Sequence, residues 1–240
     1  VSAWLAHALA FYTVLISPWW GRYALRRALR QMRANVPRFR MRWYRLILVE
    51  QAIIIAVVVA IWRLGDVPAA RLGLVLPKSW SFTLAMLVGV CVGLIIPSFL
   101  LRAKAQKLRE TPWVKLFVPE TRRERAGYAA VSIGAGVSEE LWIRGFLIYY
   151  LSVLLPPLNL IAIAALTSVV FGLLHFYQGV QGIIATAVLG GLFASFYLTT
   201  GSLVLPVVLH AIFDLRLLLM FPLRAERAGA VQSTPDDSQP

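Results

Sequence analysis

The feature that most restricts the fold of this chain is a series of apolar runs, each close to the length at which an α-helix crosses a bilayer. They occupy residues 3–20, 46–62, 82–101, 127–151, 158–176, 180–199 and 202–222. A helix needs about 20 apolar residues to cover a hydrocarbon layer roughly 30 Å thick, because each residue advances it by about 1.5 Å. The runs therefore predict an all-α, polytopic transmembrane bundle of about seven spans. Composition agrees: 15% of the 240 residues are charged and 59% are hydrophobic, whereas charges take about a quarter of the positions in a soluble domain.

The formal net charge of +13 raises the question of nucleic acid, but the basic residues sit in two stretches between apolar runs. The first, 22–45, holds Arg22, Arg26, Arg27, Arg30, Arg33, Arg38, Arg40, Arg42 and Arg45, and the second is 102–125. Cytoplasmic loops of membrane proteins are enriched in this way, and such stretches meet anionic headgroups. Lipid rather than nucleic acid is the partner this implies. With both stretches inside, the N-terminus is external, the loop 63–81 is external despite Arg63, Arg71 and Lys78, and the C-terminal segment with Arg224 and Arg227 is cytoplasmic. Arginine far outnumbers lysine, which fits GC-rich coding and a bacterial inner membrane. The first apolar run lacks a basic segment ahead of it and does not read as a signal peptide.

Three regions follow: N-terminal transmembrane helices with basic loops at 1–119, a motif-bearing helical core at 120–222, and a polar, proline-bearing tail at 223–240 that is expected to be disordered. Within the first basic stretch, Leu25, Leu29 and Met32 recur at helical spacing, which suits a helix lying on the headgroups as well as it suits a solvated loop. Gly89 and Gly93 form a GxxxG that either packs helices closely or is a chance occurrence. The single cysteine, Cys91, lies within a span, offers no disulfide framework and reads as a buried packing residue.

Ionisable groups inside a span cost several kcal/mol unless they are paired, so each is a functional hypothesis. His7 and Glu50 lie near span ends and read as structural. The informative set is Glu139, Glu140 and Arg144 in "SEELWIRG", His175 in "FGLLHF", and His210, Asp214 and Arg216 in "PVVLHAIFD" and the residues after it. Glu140 and Arg144 are i and i+4, one face of a helix, where they can form an ion pair. Glu139 is turned by about 100° from Glu140, which leaves it free to face the bundle interior. His210 and Asp214 share a face in the same way. Counted along straight helices, Glu139 and His210 reach similar depths, about 18 Å from the inner side and about 12 Å from the outer side. His175 matches that level only if the fifth span is tilted or starts late, after "PPLN".

A carboxylate and two histidines in a hydrated pocket suit hydrolysis by activated water. Glu139 would act as general base, His175 would orient the same water, and His210 would donate a hydrogen bond to the oxyanion formed on a peptide carbonyl. Neither Ser138 nor Cys91 has the partners of a nucleophile. Glu139, His175 and His210 are also a plausible zinc set, although no HExxH is present. A site without metal or other cofactor is favoured, with zinc as the alternative.

"EELWIR" as EExxxR, "FGLLH" as FxxxH and "HAIFD" as a histidine followed after three residues by Asp, in this order on successive motif-bearing helices, resemble the CPBP family of intramembrane proteases. That family includes the CAAX prenyl endopeptidases and bacterial relatives linked with bacteriocin processing and self-immunity. The resemblance covers about residues 120–222, with Pro206 also family-like. It implies Glu139 as base, His175 as water-positioning, and His210 with Asp214 on the oxyanion side. Glu140, Arg144 and Phe171 are implied as supporting residues. Many members carry Asn where this chain has Asp214, and an ionised Asp accepts hydrogen bonds but donates none, so orienting His210 is the role left for it. The activity implied is endoproteolysis of a membrane-associated protein or peptide. A non-catalytic scaffold or self-immunity protein and a proton-coupled transporter are the competing readings, since a shared bundle does not specify its chemistry.

Overall fold

The computed structural model describes residues 2–100, 105 and 107–223, and every regular element among them is helical. Leu101 at the end of the third apolar run, Arg102 and Lys104 at the start of the second basic stretch, Arg224, Arg227 and the rest of the expected tail after Leu223 lie outside the described residues. Helix α1 (Ser2–Phe11) continues through a π-helical turn, Tyr12–Ile16, into α2 (Ser17–Arg33). Pro18, which lacks an N–H, stands where the π-helical turn passes into α2. Much of the first basic stretch is therefore helix: Leu25 and Ala28 are buried against Leu116, while Arg26, Arg27, Arg30 and Arg33 stay exposed. Asn35 and Arg38, both with positive φ, reverse the chain into α3 (Phe39–Leu64).

A 3-10 turn at Ala69–Leu72 precedes α4 (Trp80–Leu100) and the short α5 (Pro112–Phe117). Helix α6 (Arg122–Glu140) begins at Thr121, whose hydroxyl accepts the Glu124 amide at 3.1 Å, a side-chain cap for an otherwise unpaired donor. It runs without a break through a π-helical stretch, Leu141–Leu147, into α7 (Ile148–Leu154). Helix α8 (Leu160–Leu174) starts late, as "PPLN" allows, with the Asn159 side chain accepting the Ala162 amide at 2.8 Å. The 3-10 turn Phe176–Gln178, α9 (Val180–Thr200) and α10 (Val204–Met220) complete the described chain.

Helices α3, α4 and α9 are each long and apolar enough to cross a membrane, and α8 is a shorter apolar helix. The chain is an integral membrane protein. Helix α6 and its π-helical extension lie at the centre, with α3 and α10 packed on α6, α9 packed along α8, and α4 laid over α10. Leu9, Ile54 and Val58 from the N-terminal helices share one core with Trp142, Ile143 and Phe171. Glycines set the two closest helix approaches. A Cβ on Gly136 would come 2.7 Å from the Val207 carbonyl oxygen, and one on Gly172 would come 2.6 Å from that of Ile183. Gly89 and Gly93, by contrast, have nothing within 4 Å of such a Cβ, so the GxxxG packs no helix within the described chain. Cys91 is only partly buried, against the cluster of Phe193, Phe196, Leu205 and Leu209.

Between α3 and α4 the chain is clasped to the α9–α10 turn. The Leu203 amide donates to the Gly73 carbonyl at 3.0 Å, the Lys78 amide to that of Thr200 at 3.1 Å, and the Ser202 hydroxyl to that of Val75 at 2.6 Å. At the opposite end Arg40 bonds Glu120 at 2.8 Å, and the Tyr44 hydroxyl donates to the Phe117 carbonyl at 3.0 Å. These contacts hold the two ends of the bundle and leave the polar motifs between them.

Candidate active site

Three helices deliver the motif residues to one place. Glu139 and Glu140 end α6, Arg144 lies in the π-helical stretch, Phe171 and His175 lie at the end of α8, and His210 and Asp214 lie on α10. The hub is Glu140, which is fully buried. Its Oε1 accepts from Arg144 Nη1 at 2.9 Å and from His210 Nδ1 at 2.7 Å. Arg144, equally buried, donates through Nη2 to the Gly190 carbonyl at 2.9 Å, and its guanidinium lies 4.5 Å above the Phe171 ring. A buried charge pair of this sort is tolerable because each partner is also hydrogen-bonded elsewhere.

Glu140, rather than Glu139, thus fills the bundle interior. Two donors converge from Arg144 and His210, and the face carrying Glu140 is the one that meets both. Glu139, turned away along the helix, keeps 28% of its side chain exposed, and its Oε2 lies 3.8 Å from His210 Nε2. Asp214, with 33% of its side chain exposed, places Oδ2 4.0 Å from the same nitrogen. His210 is oriented at Nδ1 by Glu140, across 70 residues of sequence, and not by its i+4 neighbour Asp214. With Nδ1–H donated to a carboxylate, Nε2 is the atom of the ring that faces the two accessible acids.

His175 caps α8 and donates Nδ1–H to the Phe171 carbonyl at 2.9 Å, so its Nε2 too is left for other partners. The Phe171 ring stands between the two imidazoles, with centroids 4.7 Å from His175 and 6.0 Å from His210. His175 interacts electrostatically with both His210 and Asp214. The structure therefore brings together all seven motif residues: Glu139, Glu140, Arg144, Phe171, His175, His210 and Asp214. Arg216 points elsewhere, 3.5 Å over the Phe213 ring.

Residues 123–216 match the family model described as type II CAAX prenyl endopeptidase Rce1-like. This segment is similar to that family. The Rce1-like segment contains every motif residue of the site and excludes α1–α4. The likeness is to CAAX-type membrane endopeptidases and is confined to this segment. No curated protein and no solved structure matches the chain.

Several parts of the site have no signature in the motifs. Gly190 supplies the carbonyl that holds Arg144, and a Cβ there would meet Phe171 at 3.1 Å and Arg144 Nη2 at 3.4 Å. Phe193 packs on His210 with ring centroids 5.4 Å apart. The Tyr128 hydroxyl donates to the Asp214 carbonyl at 3.1 Å, tying α6 to α10. Trp142 donates to Thr13 at 2.9 Å, which joins the motif helix to the N-terminal one. The two residues read as structural have ordinary partners: His7 shares a 2.8 Å hydrogen bond with the Tyr150 hydroxyl, and Glu50 accepts one from Tyr12 at 3.2 Å. Among the described residues, no group of three or more His, Cys, Asp and Glu side chains is arranged to hold a metal ion.

Proposed function

We propose that the chain is an endopeptidase that hydrolyses a peptide bond of a membrane-associated protein or peptide with water activated by Glu139 and the two histidines. The observation that carries this reading is the 3.8 Å separation of Glu139 Oε2 and His210 Nε2. It is too long for a direct hydrogen bond, yet it leaves room for a single water placed at about 2.8 Å from each atom. Glu139 takes a proton from that water as the oxygen adds to the substrate carbonyl, and His175 offers Nε2 as a second acceptor to hold the attacking molecule. The carbonyl π electrons move to the oxyanion, which the His210 imidazolium, engaged with Glu140 through Nδ1–H, stabilises through Nε2–H. Collapse of the tetrahedral species breaks the C–N bond, and the protonated Glu139 returns its proton to the departing amine.

Glu140, held by Arg144, keeps Nδ1–H of His210 engaged and so fixes which ring nitrogen meets the substrate. A zinc ion would draw on Glu139, His175 and His210. Those groups do not form a metal-holding cluster among the described residues. The basic stretches favour a bacterial inner membrane with the N-terminus outside and the C-terminus inside.

Glu139→Gln tests the reading. In membranes carrying a reporter peptide, cleavage is expected to fall at least 10³-fold, roughly 4 kcal/mol of barrier, while the variant unfolds at the same detergent concentration as the parent. A scaffold or self-immunity protein would keep its function after that change, and a transporter would instead lose proton or solute flux. Cleavage that survives 1,10-phenanthroline supports the metal-free route, and its loss with recovery on adding zinc overturns it.

A further inference from the structure

Helix α2 continues directly from the first apolar helix and opens with Trp19, Trp20 and Tyr23, all exposed. Exposed aromatic residues at the end of an apolar helix mark the membrane–water boundary. The arginines that follow therefore stand at headgroup level. Arg26, Arg30 and Arg33 recur at i, i+4 and i+7 on one exposed face, and with Tyr23 and Leu29 they line a cavity of about 400 Å³. No acidic residue occurs in α2. None of the three arginines has a carboxylate partner among the described residues. Three forked cations along one helix face, whose stems and neighbours Tyr23 and Leu29 form an open, largely apolar groove, match a phosphate group attached to a hydrocarbon body.

We propose that this cavity is a binding site for the headgroup of an anionic phospholipid, with Arg26, Arg30 and Arg33 on the phosphate and with Tyr23 and Leu29 against the start of the acyl region. The site lies outside the Rce1-like segment and is independent of the peptidase reading. Loose counter-ion attraction, which any of the basic residues could supply, differs from this in being indifferent to where the charge is placed.

The test uses the full chain purified in dodecyl maltoside and titrated with short-chain phosphatidylglycerol or phosphatidylcholine, with bound lipid counted by native mass spectrometry. Wild-type protein is expected to retain phosphatidylglycerol at least tenfold more tightly than phosphatidylcholine. The triple variant Arg26→Gln/Arg30→Gln/Arg33→Gln is expected to lose that preference, and the corresponding triple lysine variant to keep most of it. A charge-matched control, Arg38→Gln/Arg42→Gln/Arg45→Gln, is expected to keep it in full. Leu25 and Ala28, which bury α2 against Leu116, are left intact, so the triple glutamine variant is expected to fold. Should it not, Arg30→Gln alone carries the test, with a three- to fivefold loss. An unchanged preference in the folded variant overturns the site, as does an equal loss in the control. Displacement of the lipid by inorganic phosphate at equal concentration would assign the cavity to a soluble anion and overturn the lipid assignment.

Discussion

Helices α4 and α6 distribute polarity in opposite ways. In α4 the side chains of Leu84, Val88, Val92, Ile96 and Leu100 face outward, and the two buried residues are polar, Thr83 and Ser98. Each of those hydroxyls returns to its own helix, donating to a carbonyl four residues back at 2.7 and 2.6 Å. In α6 and the π-helical stretch after it, Glu140 and Arg144 are among the most buried side chains of the chain. The contrast shows what the surroundings provide. Lipid accepts apolar side chains at no loss, so α4 needs little from the protein, whereas a charged group in a span has to find its partners inside the bundle.

The largest expected effect breaks the inner half of that contrast. Arg144→Met leaves Glu140 without its guanidinium partner in a dry site and is expected to cost about 3–5 kcal/mol, read as a shift in the SDS concentration that unfolds the purified protein. Next, Val88→Arg places a charge on the outward face of α4 and is expected to lower membrane integration by about 2.5–3.5 kcal/mol, measured as the fraction resistant to alkaline extraction. A finer test concerns contact distance. Gly136→Ala, pressed against a backbone oxygen, is expected to cost about 1–3 kcal/mol in the same SDS titration. Gly89→Ala, in open space, is expected to be neutral or to gain up to about 1 kcal/mol. The smallest effect belongs to Val92→Leu on the lipid face, expected within about 0.5 kcal/mol of the parent. A value for Val92→Leu as large as that for Gly136→Ala would show that α4 is packed against protein and would remove the contrast.

The helical positions of the motif residues were legible because spacing along one helix is a local property: i and i+4 put Glu140 beside Arg144 whatever surrounds them. The late start of α8 was also open to reading, since Asn159 follows two prolines and can cap. What joins helices was not legible. The bond from His210 to Glu140 crosses 70 residues and depends on how α6 meets α10, which no local pattern encodes. The acceptor for Arg144 is the backbone of Gly190, and a carbonyl leaves no signature beyond the absence of a side chain there. Gly136 and Gly172 act through single close approaches, so the GxxxG spacing drew attention to Gly89 and Gly93 instead. The length of α2 was half legible, because its leucines recur at helical spacing but the contact that makes it fold, Leu25 and Ala28 on Leu116, lies far along the chain.

The wide turn at Leu141–Leu147 acts as a phase offset between the two ends of one long rod. A turn that holds more than 3.6 residues rotates everything after it relative to an unbroken α-helix, by about 100° for each extra residue. Upstream of the offset the rod aims its acids at α10. Downstream it aims Tyr150 at His7 on α1. Deleting a single residue there would restore the ordinary winding and swing one of those two faces off its target, so a chain shortened by one position would have to choose between its motif-bearing half and its N-terminal contact.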